Sequence, residues 1–209
     1  MNKIWNACRL LQMNISEKDI PDIHIDYKKI DLPEQWILSR LGKMIRDYND
    51  HLDQFRFNEA AKSLYDFTWN DFCDWYIEIA KIRFYNGNDE EADIARSVAL
   101  ECVRSVLILM HPFTPFITEE LWSFFAKKNS NDIIVSDWIK TGGINNNSAE
   151  KSMNVLKNIV TDIRSVRSRM NVAPSKYSDL IIQCKSEDQK FINKHSFLLQ
   201  SLARISNIS

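Results

Sequence analysis

The sequence predicts a mainly α fold: an antiparallel bundle of about five to six helices with a small, truncated α/β tail. Three observations predict it. Glycine and proline are scarce, 4 and 5 in 209 residues, too few for the many tight turns of an all-β chain. Apolar residues recur at i, i+3/i+4 spacing along most of the chain. One stretch, Phe55 to Tyr85, is apolar on two sides, with Ala61, Leu64, Thr68, Phe72, Trp75, Ile79 and Ile82 on one stripe and Trp69, Cys73, Tyr76, Ala80 and Phe84 on the other. A helix apolar on two sides is packed on two sides, so this segment is the expected central rod. A composition of 44% hydrophobic and 26% charged residues supplies an ordinary soluble core.

Each element has its own signal. Met1 to about Met13 is helical, with Ile4, Cys8 and Leu11 on one side. Asn14 to Ile30 is a polar connector. Asp31-Leu-Pro-Glu34 starts the next helix, with a capping Asp, an early Pro and an acidic first turn. Ile37, Leu41, Met44/Ile45, Tyr48, Leu52 and Phe55 form its stripe. Asn58 is the expected N-cap of the central helix. Asn86-Gly87-Asn88 is a turn, and Asp89, Glu90, Glu91 and Asp93 crowd the following helix start, where the macrodipole favours acids. That helix stops at His111-Pro112 because a residue before proline leaves the α region. Thr114-Pro115 restarts a helix with Ile117, Leu121 and Phe124/Phe125. Ser130 to Asn147 is a long loop containing Gly142-Gly143. A last bundle helix spans about Ala149 to Met170, with Leu156, Ile159, Ile163, Val166 and Met170 in register. Tyr177 to Cys184 then has strand character and Glu187 to Ala203 helical character. A lone strand is not stable, so its partner is either missing or supplied by the last few residues. The expected division is a helical bundle over 1–172 and the start of an α/β appendage over 173–209. The uncapped start and abrupt end predict a piece of a longer chain.

Catalytic signals are poor. Four dispersed histidines and four cysteines without a CxxC pair give no metal or triad spacing. There is no Gly-rich phosphate loop. Cys73 and Cys102 fall on predicted buried faces, as free thiols often do, which fits a reducing, cytoplasmic setting. No signal-peptide pattern or membrane-length apolar run is present. A formal net charge of -1 excludes a globally basic surface and leaves nucleic-acid contacts to local patches. The candidates are Lys3, Asn6 and Arg9, on one polar side of the first helix, and Trp36 with Arg40 on the second. Asn and Arg each make paired hydrogen bonds to base edges, although a solvated helix face has the same pattern. Arg164, Arg167 and Arg169 with Lys176 form a positive run that could equally complement a helix C-terminus.

Five strings resemble the anticodon-binding helical domain of class I aminoacyl-tRNA synthetases, the valyl-tRNA synthetases in particular. They are KIWNACRLLQMN (Lys3 to Asn14), WILSRL (Trp36 to Leu41), FRFNEAAKSLYDFTWNDFCDWYIEIAK (Phe55 to Lys81), LILMHPFTPFITEELW (Leu107 to Trp122) and IRSVRSRMNVAPSK (Ile163 to Lys176). Ala173-Pro174 stands where most valyl enzymes have two prolines. The resemblance implies a parent enzyme, an ATP- and Mg-dependent valine–tRNA ligase, whose HIGH-like and KMSKS-like motifs do not occur in these residues. The chain itself would then hold no cofactor and not be active alone. Its implied partners are the anticodon loop of tRNA(Val) and the catalytic domain of the same chain, with no membrane and a monomeric state. The implied tRNA-binding residues are Arg9 first, then Asn6 and Asn14, then Trp36 and Arg40, with Trp75, Tyr76, Arg164 and Arg167 as further candidates. Core packing alone also accounts for Trp75 and Tyr76. The competing readings are the equivalent domain of an isoleucyl or leucyl enzyme, and a helical protein-interaction scaffold without RNA binding.

Overall fold

The structure is a computed structural model that describes residues 2–15, 25–126 and 132–209, the side chain of Glu187 excepted. Most of the polar connector expected after Asn14 lies outside the described residues. The chain divides into two compact units, Met1–Glu150 and Lys151–Ser209. This division falls inside a helix, whereas the sequence places the functional boundary after that helix, at 172/173.

The first unit is helical. Helix α1 is Asn2–Asn14 and α2 is Leu32–Asp53. The expected central rod is one continuous helical run in three parts: α3 (Phe57–Asp66), a π-helical segment (Phe67–Tyr76) and α4 (Ile77–Asn86). Helices α5 (Asp89–Met110) and α6 (Pro115–Phe125) follow. Helix α2 packs on α3, on the π segment and on α5; α1 packs on the π segment, α5 and α6. The boundaries around α5 follow their sequence signals. Asn88 and Glu91 form a reciprocal capping box at its start, and His111 stands at its end. The central rod begins earlier than its capping signal. Arg56, not Asn58, is at the N-cap position, without a side-chain bond. Phe55 takes a left-handed backbone (φ 57°) to turn the chain out of α2.

The π geometry changes the faces of the rod. Its hydrogen bonds close i to i+5, as Ile77 N–H does onto Phe72 O. Phe67 and Phe72, five apart, therefore stack at 6.5 Å, and Phe72 stacks on Tyr76 at 6.3 Å. Phe67, Thr68, Asp71, Phe72, Cys73 and Tyr76 are all buried, a wider arc than α spacing predicts. Trp69 and Trp75, each placed on an inner stripe by that spacing, are only half-buried.

Two features lock α2 into this unit. At its start, Asp31 occupies the N-cap position without capping its own helix. Its carboxylate instead accepts from Arg83 at 3.2 Å, and the same Arg83 nitrogen lies 3.3 Å from Glu34. Along its length runs the loop before α7, which is a strap. Ile144 N–H donates to Leu38 O at 3.2 Å, Asn146 N–H to Ser39 Oγ at 2.9 Å, and Trp138 Nε1 to Asn49 Oδ1 at 2.8 Å. Gly143 (φ +63°) sits so close to α2 that a Cβ there would lie 2.1 Å from Leu38 O.

Helix α7 spans Asn147–Arg169. Its stripe is buried only in its first half, at Met153, Leu156 and Val160; Val166 and Met170 are 52% and 71% exposed. In the second unit, strand β1 (Ser178–Leu180) pairs in parallel with β2 (Ile205–Ile208) through α8 (Ser186–Lys194) and α9 (Ser196–Ala203). The last residues thus supply the partner that the sequence requires for its lone strand. A parallel pair needs such a crossover. The strand is shorter than the expected Tyr177–Cys184, and the single expected helix is two, broken at His195. No helix among the described residues is long and apolar enough to cross a membrane.

Candidate nucleic-acid interface

The polar face of α1 is the outer one. Ile4, Ala7, Cys8 and Leu11 are buried, while Asn2, Trp5, Asn6, Arg9, Gln12 and Met13 are exposed. This follows from the 3.6-residue period, which puts 5, 6, 9, 12 and 13 on one side. Asn6 and Arg9, one turn apart, make no hydrogen bond or ion pair among the described residues that would fold their side chains inward.

Two ties fix α1 beside the central rod. Lys3 Nζ pairs with Asp74 at 2.5 Å, and Asn14 Nδ2 donates to the Tyr85 hydroxyl at 3.3 Å. Both ties join residues 71 apart, so α1 runs parallel to the rod and in step with it. Glu78 and Lys81, paired to each other at 2.6 Å, lie on the rod between the two ties. The resulting surface carries an arginine, asparagines, a carboxylate, an ammonium group and an exposed Trp5. Such a set suits hydrogen bonds to the edges of unpaired bases and stacking on their planes. Beneath it the environment is apolar. Burial raises the Cys8 thiol far above its ordinary range and the Cys73 thiol to about 12, so both remain neutral packing groups rather than nucleophiles.

The other candidate residues have different surroundings. Trp36 is 1% exposed and Tyr76 is 0% exposed. Neither ring has a face open to a base, and the Tyr76 hydroxyl donates to Ala95 O at 3.4 Å. They are corrected to core residues. For Trp36 the cause is the unusually wide buried arc of α2, which takes in Trp36, Ile37, Leu38 and Ser39 in succession, and Tyr76 lies in the buried arc of the π segment. Arg40 is turned inward to two carboxylates, Asp71 at 2.8 Å and Glu150 at 3.5 Å. Burial opposes its charge, but these two partners outweigh it and raise its pKa. Glu150 also accepts from Ser39 Oγ at 2.6 Å, so this network ties α2 to the π segment and to the start of α7. Trp75 is half-buried and has a partner. Asn14 spends its amide on Leu10 O and Tyr85, and holds α1 rather than projecting from it.

Arg164 and Arg167 belong to the second unit. Arg164 donates twice to Leu202 O, at 2.8 and 3.2 Å. Arg167 donates to Ser178 Oγ at 2.7 Å and to the carbonyls of Ala173, Lys176 and Arg204. These bonds tie the end of α7 to the following loop and to the strand pair. Sequence reasoning missed Asp74, Tyr85 and Arg96 as the groups that seat α1, because their partners are some 70 to 80 residues distant. The Glu78–Lys81 pair, at i, i+3, was legible in principle. Among the described residues no three His, Cys, Asp or Glu side chains gather as a metal site.

Comparison with known proteins places this geometry in a family. Residues 34–182 match the model of the anticodon-binding domain of tRNA ligase. The whole chain aligns with the valine–tRNA ligase of Clostridium acetobutylicum at 34% identity, covering 24% of that protein, and with that of Geobacter sulfurreducens at 37%, covering 24%. With the enzyme of Coxiella burnetii the identity is 36%, over 99% of this chain and 23% of the relative. The chain therefore spans about a quarter of the length of the relatives it matches. Asn6 and Arg9 lie outside the matched family region but inside these alignments. The chain belongs to the family of anticodon-binding domains of tRNA ligases.

Proposed function

We propose that this chain is the anticodon-recognition module of a valine–tRNA ligase, and that the outer face of α1 reads the anticodon of tRNA(Val). The observation that carries this reading is the placement of Asn6 and Arg9 on an exposed helix face fixed at both ends to the central rod. Valine codons begin GU, so the anticodon bases to be read are A and C. Asn matches the edge of adenine, and a carboxylate such as Glu78 accepts from cytosine N4. Exposed Trp5 offers a plane for a splayed loop base. Lys81 and Lys3 supply positive charge near the backbone and make binding salt-sensitive. Trp36, Tyr76 and Arg40 serve as the scaffold under this face, and Arg164 and Arg167 organise the appendage at 173–209. The parent protein would be a cytoplasmic, monomeric, ATP- and Mg-dependent ligase, with this module positioning tRNA(Val) for the catalytic domain of the same chain.

The test is a titration of the 209-residue chain at low salt with tRNA(Val) and with the same tRNA carrying a swapped anticodon. Preferential binding of the native anticodon is the expected result. Equal binding of both, or none, would favour a protein-interaction scaffold and refute anticodon reading. Arg9→Ala should cost about 1–3 kcal/mol of discrimination, whereas Arg46→Ala, an exposed arginine on α2, should leave discrimination intact. Equal losses would show that Arg9 contributes only bulk charge.

A further inference from the structure

The face carrying Asn6 and Arg9 belongs to a short helix held by a narrow apolar stripe. Helix α1 has 13 residues, a length at which an isolated helix is marginal in water. Ile4, Ala7, Cys8 and Leu11 fix its distance from the bundle, but so few contacts on one side leave its tilt and the order of its last turn to other groups. Lys3, paired with Asp74, is one of them at the N-terminal end, and the others are gathered at the C-terminus. Arg96 Nε donates to Asn14 O at 2.9 Å, and its Nη1 binds Asp93 at 2.6 Å. The guanidinium stands over the Phe84 ring at 5.9 Å. Asn14 in turn donates to Leu10 O at 2.9 Å and to Tyr85 at 3.3 Å. Terminal carbonyls of a helix lack intrahelical donors, and a cation there complements the dipole. Arg96 supplies both, from a helix 82 residues away in sequence, and its planar fork joins α1 and Asp93 with one rigid group.

We propose that Arg96 is a positioning residue for RNA recognition. Through its clasp on Asn14 it orders the last turn of α1 and sets the tilt at which Asn6 and Arg9 are presented. This rests on the reading of the α1 face as the anticodon-recognition surface. Its role is in positioning and not in contact with RNA, since its Nε and Nη1 are directed to Asn14 and Asp93.

Amide hydrogen exchange of α1 without RNA, and tRNA(Val) binding as a function of salt, test it on the 209-residue chain. Arg96→Ala should lower protection of the α1 amides and weaken binding about 10-fold, with the slope of log affinity against log salt unchanged. Arg96→Lys, which keeps the charge and one donor, should lose less. The losses from Arg96→Ala and Arg9→Ala should be non-additive, since both act through one face. Unchanged α1 protection, additive losses, or a salt slope reduced by about one phosphate contact would each overturn the proposal. If the unsubstituted chain binds but Arg96→Ala binds equally well, this proposal alone falls. If the unsubstituted chain does not bind, anticodon reading falls and the positioning role with it.

Discussion

Glu34 should make the stability of the helical unit fall as pH rises towards neutrality. The side chain is fully buried, and neither carboxylate oxygen has a hydrogen-bond partner. Burial raises its pKa from 4.5 to about 7, with Arg83 3.3 Å away opposing the shift only in part. The groups facing it explain why. Arg83 carries one positive charge and is shared between two carboxylates, that of Glu34 and that of Asp31, whose side chain is 64% exposed. The buried Tyr76 hydroxyl beside Glu34 has its pKa pushed well up by burial and stays neutral. A carboxyl whose folded pKa is raised contributes stability below its unfolded pKa and loses it as pH climbs through the folded value. At about 1.4 kcal/mol per tenfold change in proton affinity, the shift from 4.5 to about 7 corresponds to about 3 kcal/mol. Most of this, about 2–3 kcal/mol, disappears between about pH 5 and pH 8. Glu34→Gln keeps the shape and removes the titration, so groups common to both proteins cancel in the comparison. Urea unfolding followed by far-UV circular dichroism should show the two proteins closest in stability near pH 5 and Glu34→Gln gaining by about 2–3 kcal/mol near pH 8. A stability difference that stays constant over this range would refute the argument.

Other outcomes follow from features of the same unit. Gly143→Ala places a Cβ 2.1 Å from Leu38 O at a left-handed φ and should lower the urea-derived stability by about 2 kcal/mol or more; an unchanged midpoint would mean the strap yields freely. Asp71→Asn removes the charged acceptor 2.8 Å from Arg40 and should cost about 2 kcal/mol in the same assay, and Arg40→Ala should cost a similar amount. Cys8, Cys73 and Cys102 are buried and Cys184 is exposed, so a thiol-reactive dye should label one cysteine rapidly in the native chain and four in denaturant. Rapid labelling of two or more would contradict the packing of α1 on the π segment.

Local signals were read well and tertiary ones were not. The Asn86-Gly87-Asn88 turn with its acidic helix start, His111-Pro112 and Thr114-Pro115 mark boundaries within a few residues, and the structure keeps all three positions, although His111 itself stays in the α region. The outward placement of Asn6 and Arg9 was likewise legible, because a 13-residue helix with one apolar stripe has an unambiguous outside. Trp36 and Arg40 were misplaced for the opposite reason: α2 is covered around most of its circumference, so a residue off the apolar stripe can still be inside. Arg40 finds Asp71, and Arg96 finds Asn14, only once the bundle is assembled, and no spacing rule anticipates partners 31 or 82 residues away. Trp69 and Trp75 were read on an α period in a segment that is π-helical, where each residue advances less around the axis. The tail was predicted in type but shifted in extent, since the partner of its strand is the last four-residue strand of the chain.

The π-helical stretch also constrains how this chain can change in length. Loops absorb insertions and deletions at their surface, but Phe67–Tyr76 holds its residue count through contacts at both ends. Loss of one residue there would change both the length and the rotation of the segment that joins α3 to α4. Arg83 would leave the Asp31–Glu34 pair, and Tyr85 would leave Asn14. The spacing between Asp71, which answers Arg40, and Arg83, which answers Glu34, is therefore a fixed dimension of the molecule. Substitutions within the segment can be compensated one side chain at a time, whereas a single-codon deletion would misalign both ends at once.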